Sequence, residues 1–140
     1  MKESELVKLI SRKLAPYILL FGLYLISYGH ISPGGGFQGG VVLASGVILL
    51  CLARGLSLTR KNFSFRGVRR IELTGFLFFL LLGFLGLALR GAFLSNIFPL
   101  GKIREIPSAG FIFFLNLIIG LKVGAGIILI SFVLFEWEEK

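Results

Sequence analysis

Aspartate is absent from the 140 residues, and all seven acidic side chains are glutamates. Cysteine, histidine and glutamine occur once each, as Cys51, His30 and Gln38. A single cysteine excludes a disulfide framework and a Cys-based metal site. Cys51 lies inside an apolar run and reads as a small buried or lipid-facing residue. No acidic residue falls between Glu5 and Glu72. No segment outside the apolar runs exceeds about twenty residues, which leaves no room for a soluble domain.

What fills the chain is apolar. Hydrophobic residues make up 56% of it, and the mean hydropathy is +0.92. Runs approaching the length of a bilayer crossing recur, so the fold class is an all-α membrane protein. We place spans at about 14–28, 37–53, 71–89 and 110–135, and treat residues 1–140 as a single transmembrane domain. The net charge of +8 does not point to nucleic acid, because Lys and Arg sit mainly in the junctions between spans. Lys2, Lys8, Arg12 and Lys13 before an apolar run resemble a signal peptide. That run ends in Tyr-Gly-His without a small-x-small cleavage site, and it reads as a retained anchor. Residues 1–13 read as an amphipathic interfacial lead-in, with Pro16 kinking or restarting the helix near Arg12–Lys13.

Of the fifteen Lys and Arg, eleven fall on one side of this arrangement and three on the other. The positive-inside rule therefore gives a multi-pass protein of the cell membrane with both termini in the cytoplasm. It also makes the Arg54–Arg70 stretch, with six positive charges and no negative one, a cytoplasmic loop that contacts anionic lipid. The Asn62-Phe63-Ser64 sequon is discounted for the same reason. The first two spans cover only about 22 and 25 Å against a hydrocarbon core of about 30 Å. Either the loop between them lies partly within the membrane, or the helices extend further than drawn.

That loop, Gly29–Gly40, reads GHISPGGGFQGG. Gly34, Gly36 and Gly39 match G-x-G-x-x-G, but the dinucleotide fingerprint needs a preceding strand and an acidic residue about twenty positions on. Neither is there. Pro33 stops one helix, the glycines permit positive φ and close approach, and Gly36, Gly40 and Ala44 form a small-residue stripe for helix contact. His30 is either a proton relay or a histidine hydrogen-bonded at a helix end. Gln38 reads as a loop hydrogen-bonder.

Lys122 lies deep in the fourth span, roughly 18 Å along the axis from either end, so its ammonium cannot easily reach water. Gly120 and Gly124 flank it at G-x-x-x-G spacing, and Asn116 lies six residues earlier on the same helix. This face should pack on a helix or line a cavity. Glu72, at the start of the third span beside Arg69 and Arg70, reads as an interfacial ion-pair residue or the mouth of an ion path. It lies half a membrane from Lys122 in depth. We therefore expect the partner of Lys122 from another subunit, a neutral Lys122 on a hydrated path, or a structural lysine facing backbone carbonyls.

The run GHISPGGGFQGGVVLASG closely resembles the signature of the MnhB family, a small component of the Mrp-type multisubunit sodium/proton antiporters. The NLIIGLKVGAGI stretch around Lys122 resembles it too. The resemblance implies a small subunit, not an enzyme by itself, among other integral membrane subunits, with Na+ and H+ as transported ions and no cofactor. It carries over His30, Pro33, Gly34, Gly35, Gly36, Phe37, Gly39 and Gly40 as the motif, together with Lys122. Lys122, His30, Asn116 and Glu72 are the candidate ion or proton path. The same module occurs in archaeal membrane-bound hydrogenases and sulfur-reducing complexes, so a redox enzyme complex and a purely structural spacer are the alternative settings.

Overall fold

A computed structural model describes residues 5–31, 34–99 and 110–138 of the chain. Five helices follow one another: α1 Glu5–Tyr28, α2 Gly36–Arg54, α3 Leu56–Asn62, α4 Phe65–Arg90 and α5 Phe111–Glu138. All but α3 are long and apolar enough to cross a membrane. Pro33, and the 100–109 part of the last junction, lie outside the described residues.

The first span is longer than its apolar run. α1 is one helix of 24 residues that runs through Pro16, about 36 Å at 1.5 Å per residue. The separate lead-in and the restart at Arg12–Lys13 are therefore corrected. Ala15 beside the proline is buried, and a membrane helix tolerates a missing N–H where neighbours cover the backbone. α2 keeps close to its expected bounds and stays short, about 28 Å.

The Arg54–Arg70 stretch is also not a loop. Gly55, at φ +84°, ends α2 and opens α3. Ser64 then caps α4, its Oγ accepting from the Gly67 N–H at 3.1 Å. α4 thus begins six residues before the span drawn from hydropathy alone. Arg60 in α3 lies over the rings of Phe65 and Phe132, at 5.6 and 5.5 Å, and pairs with Glu136 at 2.7 Å. The basic segment is thereby folded onto the end of α5.

The membrane-crossing helices stand in the order α1, α2, α5, α4, with α4 packed on α5. Small residues make the two inner seams. Gly22 of α1 and Gly39 of α2 face each other so closely that a Cβ on either would meet the other's carbonyl at about 3 Å. Between α2 and α5, a Cβ on Gly40 would lie 2.5 Å from the Gly120 carbonyl, and one on Gly36 would strike the Asn116 backbone. The small-residue stripe Gly36, Gly40, Ala44 does make a close helix contact. Ala44, Val47, Ala125, Ile128 and Phe132 form the core beyond it.

α4 is different. Leu77, Phe78, Leu81 and Phe84 are exposed along it, a face with only lipid or another membrane chain to cover it.

Candidate functional site

The candidate residues fall into two groups on α5, separated by the six residues from Asn116 to Lys122, roughly 9 Å along the axis.

The first group surrounds the start of α2. Gly34 and Gly35 hold φ values of +134° and +144°, which a side chain would strain. This backbone turns the chain so that Gly36 is buried with its N–H aimed at α5. Asn116 meets it: its Oδ1 accepts from the Gly36 N–H at 3.4 Å. Asn116 is thus a cap supplied by a neighbouring helix, turned towards α2 and not towards Lys122. His30 packs edge-on against Phe113, centroids 5.4 Å apart. Both ring nitrogens are buried without a hydrogen-bond partner among the described residues, so the hydrogen-bonded reading of His30 is not what is found. Gln38 and Phe37 lie in the first turn of α2, with the Phe37 ring exposed.

Replacing Asn116 by leucine removes the side chain that meets the buried Gly36 N–H. A buried donor left unpaired costs about 1–3 kcal/mol. We expect lower thermal stability of the purified protein in detergent, read by far-UV circular dichroism, with Asn116→Ser recovering part of it.

The second group is an ion pair. Lys122 Nζ lies 3.3 Å from Glu72 Oε1, and both side chains are largely but not fully buried. The expectation that no carboxylate of this chain reaches Lys122 is therefore overturned. Glu72 is an ion-pair residue, and its partner among the described residues is Lys122, not the neighbouring Arg69 or Arg70. Because α4 starts at Phe65, Glu72 is already seven residues in, roughly 10 Å along the helix. α4 and α5 run antiparallel, and Gly75 lets the Lys122 stem lie close, since a Cβ there would come 3.2 Å from the Lys122 Cβ. The Lys122 ammonium also sits 5.4 Å from the Phe76 ring centroid, within reach of a cation–π contact.

The glycines flanking Lys122 do not share its face. At 100° per residue Lys122 stands about 200° from Gly120. Gly120 and Gly124 hold α1 and α2, with Ile26 over Gly120 and Gly40 over Gly124. Lys122 points the other way, into the α4 seam. The sequence signal for the missed pairing was Ser64, a good N-cap ahead of Phe65. The signal for the Asn116 cap was weaker, because nothing in sequence spacing joins positions eighty residues apart.

A row of membrane helices held by glycine seams, with one lysine–glutamate pair inside the span, defines a polytopic membrane protein organised around intramembrane charge. Over residues 6–129 the chain matches the family described as a domain related to the MnhB subunit of Na+/H+ antiporter, and it belongs to that family. An uncharacterized protein of Methanocaldococcus jannaschii is 36% identical over 139 residues, which are 94% of this chain and 52% of that one. A Na+/H+ antiporter subunit of Bacillus subtilis is 43% identical over 61 residues, 43% of either chain. A chain of the membrane-bound sulfane sulfur reductase, an archaeal respiratory membrane complex, matches at a TM-score of 0.75 and 30% identity, covering 96% of this chain and 57% of that one. The chain spans about half the length of the relatives it matches.

Proposed function

We propose that the protein is a non-catalytic subunit of a multisubunit complex of the cell membrane that exchanges sodium for protons, and that its Glu72–Lys122 pair borders the ion path. The observation that carries this reading is the pair itself. An ammonium and a carboxylate inside a membrane span are costly to insert, so a purely structural seam has no need of them. Here they join α4 to α5, the helix against which α4 mainly packs among the described residues. Where a neighbouring subunit covers α4, a cation arriving at that interface competes with Lys122 for Glu72. A proton on Glu72 releases Lys122, and the two events exclude each other at one carboxylate. His30, whose buried ring nitrogens have no hydrogen-bond partner among the described residues, is the candidate for proton entry from the outer side. The glycine turn and Asn116 hold the frame.

A second reading concerns the host complex. The match to the sulfane sulfur reductase chain covers nearly all of this chain, which favours a redox-driven assembly whose catalytic subunits are other chains. Tagging the protein in its native host and identifying the co-purifying subunits separates the two. Antiporter-like membrane subunits alone support a stand-alone antiporter, whereas iron–sulfur or hydrogenase-like subunits beside them select the redox setting. Purification without any membrane partner contradicts both.

A further inference from the structure

At the end of the bundle that the charge distribution assigns to the cytoplasm, two helix faces look at each other across open space. On α1 the face is Glu5, Lys8, Leu9 and Arg12, and on α3 it is Leu58, Lys61 and Asn62, with Arg54 from the last turn of α2 between them. Each set follows the three-and-four spacing of one helical face. Together they enclose a cleft of about 520 Å³. Lys8, Arg12, Arg54 and Lys61 bring four positive charges to it against the one carboxylate of Glu5, which already lies 3.9 Å from Lys8. Arg12, Arg54 and Lys61 have no acidic partner among the described residues.

Like charges held on facing helices repel, and a shared anion removes that cost. Several Lys and Arg around one opening fit a phosphate group, which guanidinium and ammonium donors bind with charge-assisted hydrogen bonds. The other lining residues identify the rest of the ligand. Leu9 and Leu58 are each about half exposed, and Leu6 and Ile10 continue the apolar surface of α1 beside them. An anion with hydrocarbon attached satisfies both parts, and the inner leaflet supplies it. We infer that this cleft is a binding site for the phosphate headgroup of an anionic phospholipid, its acyl chains lying along α1.

The site is independent of the ion pair, which lies deeper and in the α4–α5 seam. The test titrates the full-length protein in neutral detergent with phosphatidylglycerol, phosphatidylcholine or inorganic phosphate, and counts bound lipid by native mass spectrometry. Phosphatidylglycerol should be retained over phosphatidylcholine. The variant Arg12→Gln/Arg54→Gln should weaken that retention by tenfold or more, at about fivefold for each charge removed. Lys13→Gln/Arg69→Gln, with the same loss of charge outside the cleft, should hardly change it, and Arg54→Lys should keep most of it. Unchanged far-UV circular dichroism keeps the comparison to folded protein. Equal losses in both double variants would reduce the effect to net charge and overturn the site. So would equal retention of the two lipids, or inorganic phosphate binding as tightly as phosphatidylglycerol. Loss of a membrane partner from the complex with lipid retention unchanged would assign the cleft to a protein and overturn it as well.

Discussion

Replacing Glu72 by leucine while Lys122 remains should strip most of this protein from its complex, and the remainder should show little sodium-dependent proton flux. The single change leaves an ammonium inside the α4–α5 seam with no carboxylate beside it among the described residues, and with the Phe76 ring 5.4 Å away. A lone lysine at the centre of a span costs about 2.5–3.5 kcal/mol on insertion scales. Breaking a buried pair by removing one partner costs about 3–5 kcal/mol. Because about a third of the Lys122 side chain is exposed, the lower end applies, still a factor on the order of 100 in the population of the docked seam. Glu72→Asp keeps the charge and shortens the reach, so assembly should survive while flux falls. Blue-native electrophoresis measures assembly, and alkalinisation of the lumen of pre-acidified inverted vesicles on an external sodium step measures flux. Normal amounts of complex carrying Glu72→Leu would mean that Lys122 has a second anion outside this chain.

The other large effect belongs to the glycine seams. Gly40→Leu should abolish the α2–α5 contact, Gly120→Leu should push Ile26 of α1 away from α5, and either should cost the folded protein. Even one added methyl group at either position meets close-packed atoms. For Gly40 they are the Gly120 carbonyl at 2.5 Å and the Gly124 nitrogen at 3.0 Å. For Gly120 they are Ile26 side-chain carbons at 2.6 Å. Backbone cannot rotate aside as a flexible side chain does, so Gly40→Ala should cost at least the roughly 1–3 kcal/mol typical of overpacking, and leucine considerably more. Gly126, in the same helix as Gly120, has nothing within 4 Å of an added Cβ. Gly126→Ala should therefore be neutral or gain up to about 1 kcal/mol from helix propensity. Thermal unfolding in detergent gives the ranking directly, and equal stability of Gly40→Ala and Gly126→Ala would contradict the close α2–α5 approach.

The sequence displayed the frame more readily than the chemistry. Four spans and the small-residue stripe through Gly36 and Gly40 were legible because apolar run length and glycine spacing are local properties. Element ends were less so, since polar first turns carry no hydropathy: Glu5–Lys13 and Phe65–Arg70 are helical because Ser64 and the continuous α1 backbone make them so. That single displacement of the α4 start hid the Glu72–Lys122 pair, because it put Glu72 at the membrane surface. Face assignment failed for a related reason. Gly120, Lys122 and Gly124 read as one feature in sequence, yet a two-residue step nearly reverses direction on a helix. The cap on Gly36 by Asn116 joins two spans that no pattern in the chain links. The family signature was legible at once, since it rests on residue identity and needs no geometry.

The most direct measurement is sodium-dependent proton flux in complexes carrying Glu72→Leu together with Lys122→Leu. Removing both charges leaves an apolar seam, and such replacements of buried pairs are often neutral or stabilising, so the double variant should assemble where Glu72→Leu alone does not. If the pair borders the ion path, the assembled complex should lose flux by about tenfold or more, a barrier change of about 1.4 kcal/mol, while the charge-keeping Glu72→Asp loses less. An intact double-variant complex with undiminished flux would make the pair a structural clasp and remove it from ion movement.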